Sequence, residues 1–278
     1  MINLVKSVIK KNVFRAVSDQ AKREAFNAVK TALATGGSWI FTQRKSGSTL
    51  ICNFLASYNS SLLGKAFDLG AIHKFGVFRE ASSFEEALAG YLAAERKHTG
   101  FIMTHRALDA KPQKLILTYR NAYDQIYSAY QFLYVNRNSR GSIQSHEALK
   151  KLAAQYCDCF LAQRDALAYS ENSWVICYDD LMSDSEQRLR SLIEFIFEEV
   201  VEQYFQKALM DSSVESVLDH EGRTGRAIVA SDSYTASSFI RSGKVGEGLA
   251  EFTPHQIAII DEVLKTRGVN PSGNPKYG

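Results

Sequence analysis

The chain has 278 residues, of which 45% are hydrophobic and 23% are charged, and its formal net charge is +3. This composition is that of a globular protein and suffices for one large α/β domain or two small ones. Positive and negative side chains are well mixed, whereas a protein that binds duplex nucleic acid normally shows a stronger basic bias. No run approaches the roughly 18 apolar residues of a membrane span. We therefore predict a protein that binds neither nucleic acid nor membrane.

The N-terminal segment, residues 1–35, is predicted to be helical and to pack on a main domain that covers residues 36–278. Its first part, MINLVKSVIKKNVFRAV, is basic and carries apolar residues at helical spacing. Contact with a membrane surface is the alternative role for this segment, which lacks the apolar core and cleavage site of a secretory signal. The four cysteines fall inside predicted helices or strands, as reduced core thiols do, and this favours a cytoplasmic protein.

Four short apolar runs predict β-strands, at Ser38–Thr42, Gly100–Thr104, Lys114–Tyr119 and Ser173–Tyr178. Helical patterns separate or follow them, at residues 49–59, 83–98, 122–133, 147–170, 184–198 and 254–266. This alternation predicts an α/β fold: a single domain with a mainly parallel central sheet flanked by helices. Residues 134–146 and 219–250 look irregular, as lids and binding loops do. Because ligands of such folds collect at the carboxyl ends of the strands, the loops that begin there are the candidate site.

The first of these loops lies in TQRKSGSTL, residues 42–50, between a predicted strand and a predicted helix. A glycine there lets the backbone approach an anion closely, and the start of a helix favours phosphate or sulfate. Lys45 adds a positive charge, and the neighbouring hydroxyls add donors. The lysine precedes the only glycine, so this is not the G-x-x-x-x-G-K-[ST] pattern. Taken alone, the stretch is either an anion cradle or a capped turn.

Three further segments bring cations or a histidine to the same edge. Arg120 ends the strand in KLILTYRNAYDQIYSAYQF, with Ser128 eight residues further on, and either grips a phosphate or pairs with Asp124. His105, in GFIMTHRALD, is either structural or a general base. FIRSGKVGEG, residues 239–248, is either a basic, flexible binding loop or a solvated turn.

In this order, the segments resemble the sulfotransferases that use 3′-phosphoadenosine-5′-phosphosulfate (PAPS), especially the cytosolic type. That family binds the 5′-phosphosulfate with a P-K-S-G-T-T-W loop and the 3′-phosphate with a strand-terminal arginine and a later serine. It takes its catalytic histidine from K-T-H-L-P, has Y-E-D-M and T-S-F segments, and closes an R-K-G-x-x-G loop on the 3′-phosphate. The resemblance covers about residues 38–265 and implies a P-loop-like strand–loop–helix that binds the phosphosulfate.

The resemblance assigns roles residue by residue. His105 would be the catalytic base, and Lys45 would stabilise the leaving phosphate. The donor-binding residues that it implies are Arg44, Lys45, Ser46, Gly47, Ser48, Thr49, Leu50, Arg120, Ser128, Tyr178, Ser212, Ser213, Arg241, Ser242, Gly243 and Lys244. The family works without a metal, so none is expected. The implied activity is transfer of the sulfuryl group from PAPS to a hydroxyl or amine of a small molecule, with PAP as the product.

Several residues depart from the family pattern. Leu50 stands where the family has a tryptophan against adenine, Met103 replaces the lysine of K-T-H, and Ser242 replaces the lysine of R-K-G. These departures give weight to a non-catalytic protein that binds PAP or another nucleotide. A P-loop kinase is a further alternative, against which the lysine position argues. Only Thr253 survives of the family's dimerisation motif, which favours a monomer or an atypical dimer.

The acceptor pocket is predicted to lie among residues 60–82, 134–146 and 219–238, with Arg106, Phe75 and Tyr134 as substrate-binding residues. These segments mix aromatic and charged side chains. Such a mixture suits a polar or amphipathic small molecule, and tailoring of a secondary metabolite is one hypothesis.

Overall fold

The computed structural model of the chain describes residues 38–79, 100–105, 112–135, 146–224 and 244–276. The predicted N-terminal segment 1–35 and the predicted helix 83–98 lie outside these residues. So do Arg106, Arg241, Ser242 and Gly243 among the predicted site residues.

One parallel sheet forms the centre of the described structure. It contains five strands in the order β2-β3-β1-β4-β5, and every neighbouring pair is parallel. The α/β fold with a parallel sheet is therefore confirmed, and the four predicted strands are present, although Tyr178 begins a helix instead of ending a strand. β2 was not predicted. The strands are β1 (Ser38–Thr42), β2 (Val77–Arg79), β3 (Phe101–Thr104), β4 (Lys114–Tyr119) and β5 (Ser173–Cys177).

Helices flank the sheet on both faces. A 3₁₀-helix spans Leu69–Phe75 and a π-helix spans Gln131–Val135. The α-helices are α1 (Ser48–Leu62), α2 (Ala122–Tyr130), α3 (His146–Ala168), α4 (Tyr178–Ser183), α5 (Ser185–Phe197), α6 (Glu202–Ser212), α7 (Val214–Thr224), α8 (Glu247–Glu251) and α9 (Pro254–Thr266).

The helical prediction was incomplete, and the short helix α4 after β5 is one element that it missed. Helix α6 was not predicted, and α7 runs into a segment that was predicted to be irregular. The short helix α8 also falls in that segment. The irregular interpretation of residues 219–250 is thus wrong at both of its ends, and its middle lies outside the described residues.

The sheet is buried on both faces, and neighbouring side chains alternate between them. Ile40, Met103 and Ile116 point to the face covered by α1, α5 and α6. Trp39 and Phe41 point to the opposite face and pack against α3, with their rings stacked at 4.9 Å. The strands between these layers are almost wholly buried, as expected for a parallel sheet with helices on both faces.

The strand register brings the carboxyl ends of β1, β3 and β4 to one edge. Phe41 pairs with Thr104 of β3, and Thr42 pairs with Thr118 of β4. The loops after these strands carry Lys45, His105 and Arg120. The sheet therefore places these three residue positions at the same edge, as the sequence predicted.

Candidate active site

The loop after β1 holds two residues in the left-handed backbone region. Lys45 has φ 66° and Gly47 has φ 90°. Gly47 is also the N-cap of α1, and no side chain caps this helix start. The bond from the Ile51 N–H to the Gly47 carbonyl is the first of the helix, which leaves the N–H groups of residues 48–50 outside intrahelical bonding. The loop thus presents N–H groups at the positive end of a 15-residue helix.

Gly47 is needed for close approach as well as for its φ. A Cβ atom at this position would lie 3.0 Å from Cδ2 of Tyr178 and 3.4 Å from a methyl group of Leu181. The loop after β1 is therefore packed against the start of α4, which follows β5. This contact places Tyr178 beside the loop after β1.

Ser46 faces inward. Its side chain is fully buried, and its hydroxyl donates to the Gln43 carbonyl at 2.6 Å and lies 2.8 Å from the Thr118 hydroxyl. The hydroxyl therefore ties the loop to β4 and is not directed outward. Of the polar groups of Ser46, only the backbone N–H could therefore bind the phosphosulfate as predicted. Ser48 and Thr49 lie partly exposed in the first turn of α1, and Arg44 is exposed.

Lys45 lies beside an aromatic ring. Its ammonium group is 4.2 Å from the centroid of Phe132, in the π-helix that follows α2. Cations are attracted to aromatic faces, so Phe132 helps to hold the lysine at the edge of the sheet. π-Helical turns are frequent at functional sites. The backbone of Tyr134 lies in the same turn, and its side chain is outside the described part of the structure.

His105 follows β3 directly and is partly exposed. Its Nδ1 atom lies 3.0 Å from the carbonyl oxygen and 3.1 Å from the hydroxyl oxygen of Thr42. Its own carbonyl is contacted by the thiol of Cys159, at 3.8 Å. The histidine is thus attached to the end of β1, beside the loop that carries Lys45.

Arg120 is buried at the end of β4, with 5% exposure. One terminal nitrogen donates to the Lys244 carbonyl at 2.6 Å and to Asp124 at 3.3 Å. The guanidinium carbon is 4.3 Å from the centroid of the Tyr178 ring. Its Nε atom is buried and has no hydrogen-bond partner among the described residues. Both predicted alternatives are therefore compatible: Arg120 pairs with Asp124, and it keeps a buried donor that an anion would satisfy.

Asp124 fixes the late glycine loop. Its carboxylate is 1% exposed and accepts from the N–H groups of Gly246 and Gly248, both at 2.7 Å. A Cβ on Gly248 would lie 2.3 Å from the backbone carbon of Tyr123, so α8 can approach α2 this closely only with glycine. Residues 244–248 are therefore held next to Arg120, and Lys244 contributes its carbonyl to that contact.

Two groups near Arg120 have shifted pKa values. Burial raises the pKa of the Tyr178 hydroxyl, and the charge of Arg120 opposes part of that rise. Burial also raises the pKa of Asp179, while a hydrogen bond from Asn121 opposes it. The arginine therefore lies in a partly desolvated environment, where its attraction for an anion is stronger than in water.

Four further predicted residues do not point to an open site. Phe75 is 3% exposed and packs in the core against Phe67, before the amino end of β2 and thus at the opposite edge of the sheet. Its predicted role as an acceptor-lining residue is therefore wrong. Leu50 packs partly buried against the same core. The Ser212 and Ser213 hydroxyls bond within α6 and the start of α7.

Ser128 lies on α2, two turns beyond Arg120, and is partly exposed. The described residues contain no group of three potential metal ligands. Within the same part of the chain, no helix is both long enough and apolar enough to cross a membrane.

Sequence reasoning missed three residues of this edge. Thr42 was assigned to a strand, Phe132 to a helix, and Gly248 to a loop that was either a basic binding loop or a solvated turn. Asp124 was predicted only as a partner of Arg120, and its contacts with the glycine N–H groups were not. No sequence pattern shows that the Thr42 hydroxyl and carbonyl converge on His105, because this contact depends on the register of β1 and β3.

An uncapped helix start, a lysine, a buried arginine and a histidine at one edge of a parallel α/β sheet form an arrangement that suits phosphate-type groups. Comparison with known families is more specific. A sequence model of the sulfotransferase domain matches residues 36–270. The chain therefore belongs to the sulfotransferase family.

Solved structures support the same fold. A mouse sulfotransferase, SULT7A1, complexed with PAP has 17% sequence identity and a TM-score of 0.59, over 88% of this chain and 89% of that one. A retinol dehydratase complexed with androsterone and the inactive cofactor PAP has 14% identity and a TM-score of 0.55, over 84% and 80% of the two chains. A search of curated protein sequences gave no match.

Proposed function

We propose that this protein transfers the sulfuryl group of PAPS to a hydroxyl or amine of a small-molecule acceptor and releases PAP. The observation that carries the proposal is the buried Nε donor of Arg120, which lies at the sheet edge shared with the Lys45–Gly47 loop and His105. A buried donor without a partner costs free energy, and the 3′-phosphate would supply the missing acceptor. The N–H groups at the start of α1 would bind the 5′-phosphosulfate.

The residues at this edge would divide the chemistry between them. When bound, PAPS supplies a sulfuryl group and a phosphate leaving group. Lys45 and the N–H groups at the start of α1 would stabilise the charge that develops on the leaving oxygen. His105 would take the proton from the attacking hydroxyl or amine, a contribution of about 10²–10⁴-fold. Arg120, Ser128 and the loop at residues 241–244 would hold the 3′-phosphate, which separates PAPS from ATP.

The test is sulfuryl transfer from labelled PAPS across a panel of acceptors, together with calorimetry of PAP binding. His105→Ala should lose turnover and keep its affinity for PAP, since the histidine would act only on the acceptor. Arg120→Ala should weaken PAP binding about 10- to 100-fold, the range for a hydrogen bond to a charged group. Full activity of the histidine variant would refute its role as the base, and unchanged affinity of the arginine variant would refute the 3′-phosphate assignment.

A second candidate function is PAP or nucleotide binding without catalysis. One observation favours it: Met103, at the position of a family lysine, is an apolar core residue with 3% exposure and supplies no charge near His105. Binding of PAP with no transfer to any acceptor would support this alternative. Turnover of ATP with Mg²⁺ would instead indicate the kinase activity that the lysine position disfavours.

The proposed function extends to the acceptor, the oligomeric state and the location of the protein. Because Phe75 is buried in the core, it is no longer part of the proposed acceptor region. That region consists of Tyr134, Arg106 and the segments after β2 and α7. We propose a polar or amphipathic acceptor, a monomer or an atypical dimer, and a cytoplasmic protein. A tailoring reaction on a secondary metabolite is one form of this activity. Size-exclusion chromatography with light scattering would test the oligomeric state.

A further inference from the structure

Two oxygen atoms of Thr42 contact Nδ1 of His105. The carbonyl oxygen of Thr42 is 3.0 Å from it, and the hydroxyl oxygen of the same residue is 3.1 Å from it. That hydroxyl is also 3.6 Å from the sulfur of Met103. All three residues lie at the ends of β1 and β3, where Phe41 is paired with Thr104. The contact is therefore held by the sheet and does not depend on a flexible loop.

The positions of the protons follow from what each atom can do. A carbonyl oxygen can only accept a hydrogen bond, so the contact with the Thr42 carbonyl favours a proton on Nδ1. A thioether sulfur is also an acceptor only, so the Thr42 hydroxyl donates its single proton to Met103. The hydroxyl oxygen can then only accept from His105. Both contacts of Thr42 thus favour the same tautomer, with the proton on Nδ1.

We propose that Thr42 is a positioning residue that holds neutral His105 in its Nδ1–H tautomer, and that Met103 sets the direction of the Thr42 hydroxyl. The consequence is that Nε2 carries the lone pair and is the atom that removes the acceptor's proton. In a neutral imidazole, the hydrogen bond at one nitrogen decides the state of the other. This inference rests on the proposed function only where it assigns the proton transfer, since the tautomer itself is a property of the resting protein.

The role of Met103 is specific to its chemistry. The sulfur accepts, whereas an ammonium group at the same position would only donate and would leave the Thr42 hydroxyl proton to another partner. The hydroxyl could then donate to Nδ1 and favour the opposite tautomer. Met103 is buried against the core, so its sulfur is held close to β1. Met103 therefore orients the Thr42 hydroxyl beside the histidine, in addition to removing the positive charge of the family lysine.

The experiment is ¹⁵N NMR of the imidazole side chains in the full chain without PAPS, with His105→Gln to assign the signals. The wild type should show the Nδ1–H pattern. Thr42→Val removes the hydroxyl and should increase the population of the Nε2–H tautomer. Thr42→Ser keeps a hydroxyl and should show the wild-type pattern. Met103→Leu removes the sulfur and should also increase the Nε2–H population. Thr266→Val, an exposed threonine on α9 whose hydroxyl bonds to Glu262, is the matched control and should leave His105 unchanged.

Turnover gives the second readout. In Thr42→Val, kcat should fall about three- to tenfold, the equivalent of one neutral hydrogen bond, while PAP affinity stays unchanged. An Nε2–H pattern in the wild type, or the same pattern in wild type and Thr42→Val, would overturn the inference. Unchanged kcat in a variant whose tautomer has shifted would also overturn it. An Nδ1–H wild type without any sulfuryl transfer would instead overturn the proposed function and support the tautomer assignment.

Discussion

The guanidinium group of Arg120 lies over the aromatic ring of Tyr178, with 4.3 Å between the arginine Cζ atom and the ring centroid. The contact joins the carboxyl end of β4 to the residue that follows β5. Because other hydrogen bonds of the arginine go to Lys244 and Asp124, the ring and these partners together fix the plane of the guanidinium. The buried Nε atom therefore points in one direction.

Replacing this ring should weaken the binding of PAP. In Tyr178→Leu the cation loses its aromatic partner, and affinity should fall about two- to thirtyfold, the range for partly buried cation–π pairs. Tyr178→Phe keeps the ring and should keep most of the affinity, so it is the matched control. Calorimetry with PAP measures both. An equal loss in the phenylalanine variant would mean that the hydroxyl, and not the ring, is responsible.

Asp124 should matter more for folding than other carboxylates that pair with arginine. Asp124→Ala leaves two glycine N–H groups and a buried guanidinium without their acceptor, and we expect a loss of about 3–5 kcal/mol in the free energy of unfolding. Asp165→Ala, which breaks an exposed 3.4 Å pair with Arg164, should cost less than about 1 kcal/mol. Urea unfolding compares the two variants, and similar losses would contradict the importance of the glycine loop contact.

Gly248→Ala should separate α8 from α2. The added Cβ would meet backbone atoms of Tyr123 at 2.3 and 2.4 Å, which no side-chain rotation relieves. Overpacking of this kind costs about 1–3 kcal/mol, and PAP affinity should fall with it because Lys244 would move away from Arg120. Gly222→Ala is the control: its Cβ meets nothing within 4 Å, and alanine is the better helix former in α7. The midpoint temperature of thermal unfolding should be lower in Gly248→Ala than in the wild type. In Gly222→Ala it should be unchanged or higher.

The pair between Glu202 and Arg190 makes a pH-dependent contribution to stability. Two hydrogen bonds, at 2.8 and 3.0 Å, join the carboxylate to the guanidinium, and they lower the pKa of Glu202 from 4.5 to about 2. A carboxyl group whose folded pKa is lowered contributes stability above its unfolded pKa and loses it as the pH falls through the folded value. The unfolding midpoint of Glu202→Gln should therefore lie below that of the wild type at pH 6 and converge with it near pH 2. A constant difference across this range would exclude the pair as the cause.

The sheet could be predicted from the sequence because its strands are short apolar runs between helical patterns. β1, β3, β4 and β5 each have four or more residues with such a run. β2 has only three residues, too few for a period to be visible. Helix α7 was missed because Gly222 and the residues after it resemble a loop, and the packing of Val217 in the interior outweighs that local preference.

For the candidate site, the sequence predicts the positions of the residues but not the directions of their side chains. The order of Lys45, His105 and Arg120 after successive strands could be predicted, since parallel strands bring their carboxyl ends to one edge. The direction of individual side chains could not. Ser46 turns inward because Thr118 of the neighbouring strand offers a partner, and Phe75 is buried because its segment runs to the opposite edge of the sheet.

The backbone conformation of Lys45 lowers the stability of its loop. A non-glycine residue in the left-handed region costs about 1 kcal/mol or more relative to glycine, which tolerates that region freely. Lys45→Gly should thus form a more stable loop while it removes the ammonium group from the edge of the sheet. Selection for stability alone would favour glycine at this position. A lysine kept in this unfavourable backbone conformation is what we expect if its charge has the proposed role at the leaving phosphate.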